Sequence, residues 1–258
     1  MGGAQPCLGT RLCVPARKRR FSVTKTPPPA SRNRLLAALP AQDQHRFLTV
    51  CEEVKLESGS LLSRTGDPVS FVYFPCESFI SLMAPATNPG SLEVGLVGTE
   101  GMLGTSLLLG VAEAPLPALV QGEGGAWRIA ADDFLRQLRE QPALRRRLER
   151  YLYVTLLQLA QAAACNRFHR LEERVARWML MTLDRCHSAS FHMTHEFLAS
   201  MLGVRRAGVT GAARALKEQG LIDYRRGELT VIDHTGLLDA ACSCYGHDGA
   251  VYARILGS

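Results

Sequence analysis

The most restrictive feature of this sequence is a pattern of two short helices and a hairpin near its C-terminus. Thr194 is suited to cap a first helix, and Gly203 follows that helix where a tight turn is needed. A second helix is expected over about residues 205–219. Residues 221–232 then predict a two-stranded hairpin with Gly227 at its tip. The expected inward positions of both helices are apolar: Leu198, Ala199, Met201, Leu202, Val209, Ala212, Ala213 and Leu216.

Basic residues concentrate on this pattern. Residues 204–226 contain six basic and two acidic residues, whereas residues 31–165 have a net charge of −2. A local excess of this kind is what binding to a nucleic-acid backbone requires. We therefore interpret the pattern as a winged helix-turn-helix, and the alternative is a helical hairpin with a solvated basic face. The residues expected to contact DNA are Thr194, Arg205, Arg206, Thr210, Arg214, Lys217, Arg225 and Arg226.

The remaining sequence divides into segments of different character. Residues 1–30 hold six basic residues, no acidic ones and three consecutive prolines, which predicts a disordered tail, either passive or a phosphate-binding arm. Residues 31–141 begin with two short helices and continue as short apolar stretches between turns, which is typical of an antiparallel sandwich or barrel. Residues 142–166 predict a long helix, and residues 167–258 predict the DNA-binding domain. The expected fold class is α+β.

The long helix carries an apolar seam with the 4-3-4-3 spacing of a coiled coil. A single buried helix would also explain this spacing. Because the helix joins a β module to a second domain, we favour a seam between two copies of the chain. The expected interface residues are Leu148, Leu152, Thr155, Leu159 and Ala162.

These patterns together resemble the Crp/Fnr superfamily over about residues 31–245. In the β-rich part the resemblance rests on Gly59, Gly66-Asp67, Val72-Tyr73-Phe74 and Gly98-Thr99-Glu100-Gly101-Met102-Leu103-Gly104. In the helical part it rests on Leu198-Ala199, Leu202-Gly203-Val204-Arg205-Arg206, Val209-Thr210, Gly220-Leu221-Ile222, Arg226-Gly227 and Ala241-Cys242-Ser243-Cys244-Tyr245. The resemblance implies a cyclic-nucleotide-binding-like β-roll (a jelly roll), a long dimerisation helix and a winged helix-turn-helix. It also implies double-stranded DNA with a two-fold operator, a second copy of the chain and RNA polymerase as partners.

The β-rich part departs from the cyclic-nucleotide binders of that superfamily. Those proteins follow the last glycine of this motif with a Glu for the ribose, and later place an Arg for the cyclic phosphate. Here Thr105 follows Gly104, and residues 114–116 are Ala-Pro-Leu where the Arg is expected. A phosphate without Arg lacks its bidentate partner, so we predict that cyclic AMP is not the effector, which stays unknown.

The second helix departs from the superfamily as well. Arg206 matches a base-reading position, but Ala207 stands where Glu is usual and Gly211 where a later Arg is usual. The operator is therefore expected to differ from the best-known one.

Catalytic and metal chemistry have weak support in the sequence. His195-Glu196 begins like a zinc-protease motif, but Ala199 occupies the position of its second His. Cys242, Cys244 and His247 could be three ligands of a metal site, but we favour core thiols beside a surface histidine. We expect no cofactor, no metal and no enzyme activity.

The sequence also predicts a location and leaves one functional alternative. Its apolar runs are too short to span a membrane, so we expect a soluble, cytoplasmic protein. The alternative function is a ligand- or redox-binding signalling protein whose helical domain mediates protein contacts. Salt-dependent binding to palindromic DNA separates the two.

Overall fold

The computed structural model describes residues 32–85, 91–186 and 189–257, and the tail expected over residues 1–30 lies outside them. The N-terminal part opens with helices α1 (Arg34–Ala37) and α2 (Ala41–Leu48), as the sequence predicts. Asn33 caps α1 by accepting hydrogen bonds from the backbone N–H groups of Leu35 and Leu36.

Seven strands follow and form two antiparallel sheets. Their bounds are β1 (Glu52–Leu56), β2 (Leu61–Ser63), β3 (Phe71–Pro75), β4 (Phe79–Pro85), β5 (Ser91–Val97), β6 (Ala118–Gly122) and β7 (Gly124–Ala130). One sheet has the order β1-β7-β3 and the other the order β2-β6-β4-β5. Apolar side chains such as Val54, Ile80 and Val120 pack between the sheets. The β-roll and the α+β class are thereby confirmed.

Strand β1 is not one of the short apolar stretches on which the prediction of a β-rich domain rests. Its residues, Glu-Glu-Val-Lys-Leu, are mostly charged, and only Val54 and Leu56 are buried. This alternation is the signature of a strand with one face on the core, but two apolar positions are too few to single out.

A long helix links the two halves of the chain. After a 3-10 helix (Thr105–Leu109) between β5 and β6, the β-roll ends in α3 (Ala131–Glu140) and continues into α4 (Pro142–Phe168). Pro142 opens α4, where its missing N–H removes no helical hydrogen bond. None of the helices that the structure describes is long and apolar enough to cross a membrane.

The C-terminal half contains the predicted helix-turn-helix and hairpin. Its elements are α5 (Leu171–Cys186), β8 (Ser190–His192), α6 (His195–Leu202), α7 (Arg206–Glu218), β9 (Ile222–Arg225), β10 (Glu228–Val231), α8 (His234–Ala240) and α9 (Cys244–Leu256). The wing has three strands in the order β8-β10-β9. The sequence did not predict strand β8, because three residues are too few to show an alternation of apolar and polar side chains.

Helix α9 belongs to the predicted domain of residues 167–258, but it packs on the N-terminal part. Val251, Tyr252 and Leu256 lie in the same core as Phe47 and Phe74 of the N-terminal part. The chain therefore returns to the β-roll and α4 after completing the winged domain.

Polar contacts also join the two halves. The indole N–H of Trp178 on α5 donates to Glu93 on β5 at 3.0 Å. Arg185 pairs with Glu100 through a largely buried ion pair. The winged domain is therefore held directly against the four-stranded sheet of the β-roll.

Candidate nucleic-acid interface

The turn between α6 and α7 has the geometry that the sequence predicts. The Thr194 hydroxyl accepts a hydrogen bond from the N–H of Phe197 at 3.1 Å and caps α6. Gly203 ends α6 in the left-handed region, with φ 64°, where any other residue type is strained. Leu92 of β5 packs so closely against this glycine that a Cβ built there would lie 3.0 Å from the Leu92 side chain. The turn is therefore constrained both by the left-handed conformation of Gly203 and by the contact of this residue with Leu92.

Helix α7 separates a buried face from an exposed basic face. Its buried residues are Val209, Ala212, Ala213 and Leu216, as predicted. The opposite face has spacings of four, four and three residues, which place its members in one row along the helix. These exposed residues are Arg206, Thr210, Arg214 and Lys217.

The wing presents two further arginines at its tip. Arg226 and Gly227 form the two-residue turn between β9 and β10, with φ 53° and 88°. Positive φ at both positions is the type I′ turn that hairpins favour, and Asn-Gly is its preferred pair. An arginine at this position is uncommon. Arg225 and Arg226 are both exposed.

Several of the basic side chains are paired with nearby acids. Arg214 contacts Glu218 at 2.7 Å, and Asp223 accepts from Lys217 at 2.7 Å and lies 2.9 Å from Arg225. The hydrogen bond from Lys217 holds the pKa of Asp223 below its ordinary value. Exposed ion pairs contribute little to stability, so these cations can exchange carboxylates for phosphates.

Two arginines differ from this pattern. Within the part of the chain that the structure describes, Arg205 and Arg226 have no ion-pair partner. Arg206 lies 3.9 Å from Glu196, at the limit of an ion pair. All eight predicted DNA-contact residues are exposed: Thr194 caps α6, and the other seven lie at the start of α7, on α7 and in the wing.

His195 connects the parts of this surface and was missed as a functional residue. Its Nδ1 lies 3.0 Å from the Thr210 hydroxyl, and its ring stacks on Tyr224 at 4.4 Å. Tyr224 in turn donates to the carbonyl of Met193. Burial, with a smaller contribution from Arg206, lowers the pKa of His195. The sequence signal was present but resembled a truncated zinc motif.

The seam predicted on α4 is not its exposed face. Leu148 is fully buried in the core of its own chain, so it is unavailable to a partner. The other seam residues, Leu152, Thr155, Leu159 and Ala162, are half-buried. The exposed row instead consists of Tyr153, Leu156, Ala160 and Ala163. Leu148 therefore does not belong to an exposed interface, and an interface through the other four seam residues stays a prediction.

A cavity of about 140 Å³ lies in the β-roll. Its walls include Phe71, Tyr73 and Leu103, together with Thr105 and Pro115. Among the described residues that line it there is no Lys or Arg. The two departures from cyclic-nucleotide binders thus lie on one cavity.

Four residues that could hold a metal ion lie together elsewhere, at the end of α4. Cys242 and Cys244 are grouped with Cys165 and His169, whereas His247 is exposed and outside the group. The structure therefore replaces His247 with His169 in the candidate ligand set and adds Cys165 to it.

Comparison with known proteins supports the interpretation of the C-terminal half. Residues 173–240 match the family model described as the Crp-like helix-turn-helix domain. No curated protein sequence matches the chain significantly.

Solved structures of regulators share the overall fold. FixK2 from Bradyrhizobium japonicum superimposes with a TM-score of 0.63 at 14% identity, covering 75% of this chain and 98% of that one. CLP, the c-di-GMP responsive global regulator of Xanthomonas campestris, gives 0.62 at 18% identity, covering 74% and 99%. A transcriptional regulator of the CRP family from Thermus thermophilus gives 0.62 at 18% identity, covering 72% and 95%.

Proposed function

We propose that the protein regulates transcription by binding double-stranded DNA at specific sequences, because residues 173–240 form a Crp-like helix-turn-helix domain in a chain with the fold of Crp/Fnr-type transcription regulators. The observation that carries this proposal is the joint exposure of the basic face of α7 and the wing arginines on one domain. A helix of this kind fits the major groove, where base edges are distinguishable. The wing is suited to the phosphate backbone beside it.

The proposed active form is a homodimer on a two-fold operator. Leu156 is 58% exposed and Tyr153 is 49% exposed on neighbouring turns of α4. Exposed apolar rows on a long helix are unfavourable in water unless a partner covers them. A second copy of α4 is the partner whose surface matches by symmetry. Two winged domains would then contact two half-sites.

The proposal excludes cyclic AMP as the effector. A cavity of about 140 Å³ is smaller than the ~300–1,000 Å³ typical of ligand sites. Its described lining also lacks a cation for a cyclic phosphate. We expect titration calorimetry with cyclic AMP to show no saturable heat and DNA affinity to be unchanged. Saturable micromolar binding would overturn this interpretation of Thr105 and Pro115.

The same proposal includes a cytoplasmic location, RNA polymerase as a protein partner, and no catalytic role. These follow from the function of a transcription regulator. They are separate from the DNA-binding surface itself.

Selection of DNA sites from a random pool by the full chain tests the proposal. We expect enrichment of two-fold sites whose half-site centres lie about one helical turn, ~34–36 Å, apart. Affinity should fall linearly with salt on logarithmic axes, because phosphate contacts release counterions. Failure to enrich any sequence, with no salt dependence, would favour the signalling protein whose helical domain binds other proteins.

A further inference from the structure

Three cysteines and one histidine from distant parts of the chain converge at the end of α4. Cys165 lies in the last turn of α4 and His169 is its C-cap residue. Cys242 lies between α8 and α9, and Cys244 begins α9. The four candidate ligand atoms all lie within 4.8 Å of one another. All three cysteines are buried and form a cluster of their own.

Two of the distances between ligand atoms are close to the edges of a tetrahedron around one metal ion, and the others are at most 4.8 Å. The sulfur atoms of Cys165 and Cys242 are 3.5 Å apart, and Nδ1 of His169 is 3.4 Å from the sulfur of Cys244. With Zn–S bonds of ~2.3 Å and Zn–N bonds of ~2.0 Å, ideal tetrahedral edges are about 3.5–3.8 Å. The ligand atoms therefore need only small shifts to surround an ion.

Neighbouring side chains supply what thiolate ligands require. Gln161 donates from Nε2 to the sulfur of Cys244 at 2.9 Å. Arg177 lies 3.8 Å from the sulfur of Cys165 and is itself held by Asp248 at 2.6 Å. Hydrogen bonds and positive charge beside a thiolate stabilise it and orient it toward a metal. Inert core thiols need no such donors around them.

We propose that Cys165, His169, Cys242 and Cys244 bind one Zn²⁺ ion in a closed, four-ligand structural site. Three thiolates and one imidazole form a standard donor set for structural zinc. The site ties the junction of α4 and α5 to the junction of α8 and α9. It thereby anchors the winged domain and the returning helix α9 to the long helix. Cys165 also lines a crevice of about 500 Å³.

Two other chemistries fit the geometry less well. A two-iron cluster divides its four protein ligands between two irons, which spreads them further than a group gathered within 4.8 Å. A disulfide between Cys165 and Cys242 would leave Cys244 and His169 without a common role. A single borderline-soft ion uses all four residues.

Metal analysis of the purified full-length chain is the first test. We expect about one zinc per chain, and removal by a chelator to lower the thermal midpoint, because the ion binds only the folded state. Reloading with Co²⁺ should give tetrahedral ligand-field absorption and thiolate-to-cobalt charge transfer. This spectrum identifies sulfur ligands in the unaltered protein, so it does not depend on how variants fold.

Substitutions then identify the ligands. His169→Ala and Cys244→Ser should weaken zinc binding by more than the ~10–100-fold expected for Gln161→Ala, which alters only a hydrogen bond to a ligand. His247→Ala and Cys186→Ser are matched controls outside the cluster and should retain the metal. The proposal is wrong if His247→Ala loses zinc while His169→Ala retains it. It is equally wrong if the chain contains iron with inorganic sulfide. It is also wrong if protein supplied with zinc binds none and instead forms a disulfide between Cys165 and Cys242.

Discussion

At the scale of single residues, Arg206 and Arg226 are expected to make different kinds of contact with the same DNA. Arg206 is the first residue of α7, so its side chain extends from the helix end that enters a groove. Arg226 lies at the wing tip in a left-handed conformation, with φ 53°. Asn or Gly would adopt that conformation at lower cost. The arginine is therefore better explained by its charge than by its fit to the turn.

Arg206→Ala should relax the preference at one base pair in each half-site. A bidentate contact from Arg to guanine contributes about 1–3 kcal/mol of discrimination. Competition among single-base operator variants measures this loss. Equal weakening for every variant would identify Arg206 as a phosphate contact, with Arg205, Thr210 or Arg214 as the next candidates for base reading.

Arg226→Asn is the matched comparison, since it removes the charge and suits the type I′ turn. We expect it to weaken binding to all sequences alike and to reduce the salt slope by about 0.9, the value of one phosphate contact. A change in base preference would show that the wing also reads sequence.

Glu93 is a residue whose charge state links the two halves of the molecule. Burial raises its pKa from 4.5 to about 7, although Ser81 and Trp178 donate hydrogen bonds to it and Arg185 and Arg177 lie nearby. The folded protein thus holds a proton that the unfolded chain releases between these pH values. The stability that Glu93 contributes is present at low pH and is lost as pH rises toward 7.

Glu93→Gln should flatten this dependence. Urea unfolding between pH 5 and pH 8 should show the unaltered protein losing on the order of 1 kcal/mol more than the variant as pH rises. The control is Glu53→Gln on β1, a half-buried carboxylate away from the contact. Parallel curves for Glu93→Gln and the unaltered protein would contradict the assignment.

At the scale of elements, α7 carries two glycines that differ in their surroundings. A Cβ at Gly211 would meet nothing within 4 Å, whereas one at Gly208 would lie 2.9 Å from the side chain of Leu171. Glycine inside a helix costs about 0.5–1 kcal/mol relative to alanine. Only at Gly211 is this cost recoverable without displacing a neighbour.

Gly211→Ala should therefore raise the free energy of unfolding by about 0.5–1 kcal/mol. Gly208→Ala should give a smaller gain or a loss, because Leu171 must move. Chemical denaturation without DNA measures both. Equal gains would mean that the helix accommodates a methyl group on either face.

At the scale of the whole molecule, α4 decides whether two chains associate. Leu156→Glu places a charge in the exposed apolar row and should produce monomers at micromolar concentration. Binding to a two-fold site should weaken by about 100-fold or more, since each half-site is then bound independently. Sedimentation and DNA titration measure the two effects.

Leu109→Glu is the control for that substitution. Leu109 is 67% exposed on the 3-10 helix, comparable with Leu156 but outside α4. The Leu109→Glu substitution should leave the association of two chains unchanged. A dimer that survives Leu156→Glu, or an unaltered chain that is monomeric, would remove the exposed row as the interface.

The sequence by itself determined the elements whose evidence is local. Thr194, Gly203 and the apolar spacing of α7 define the helix-turn-helix, because caps, left-handed glycines and helical periodicity act within a few residues. The short apolar stretches between turns in residues 31–141 predicted the β-rich domain in the same way. The basic face of α7 follows from the same periodicity.

Only the tertiary structure decided which surfaces are free and which distant residues meet. Periodicity marked Leu148 as apolar but did not distinguish its own core from a partner chain. The return of α9 to the N-terminal core, and the approach of Cys165 to Cys242 across 77 residues, left no periodic signal. Such contacts depend on how whole elements pack, and one sequence carries no local spacing that encodes that packing.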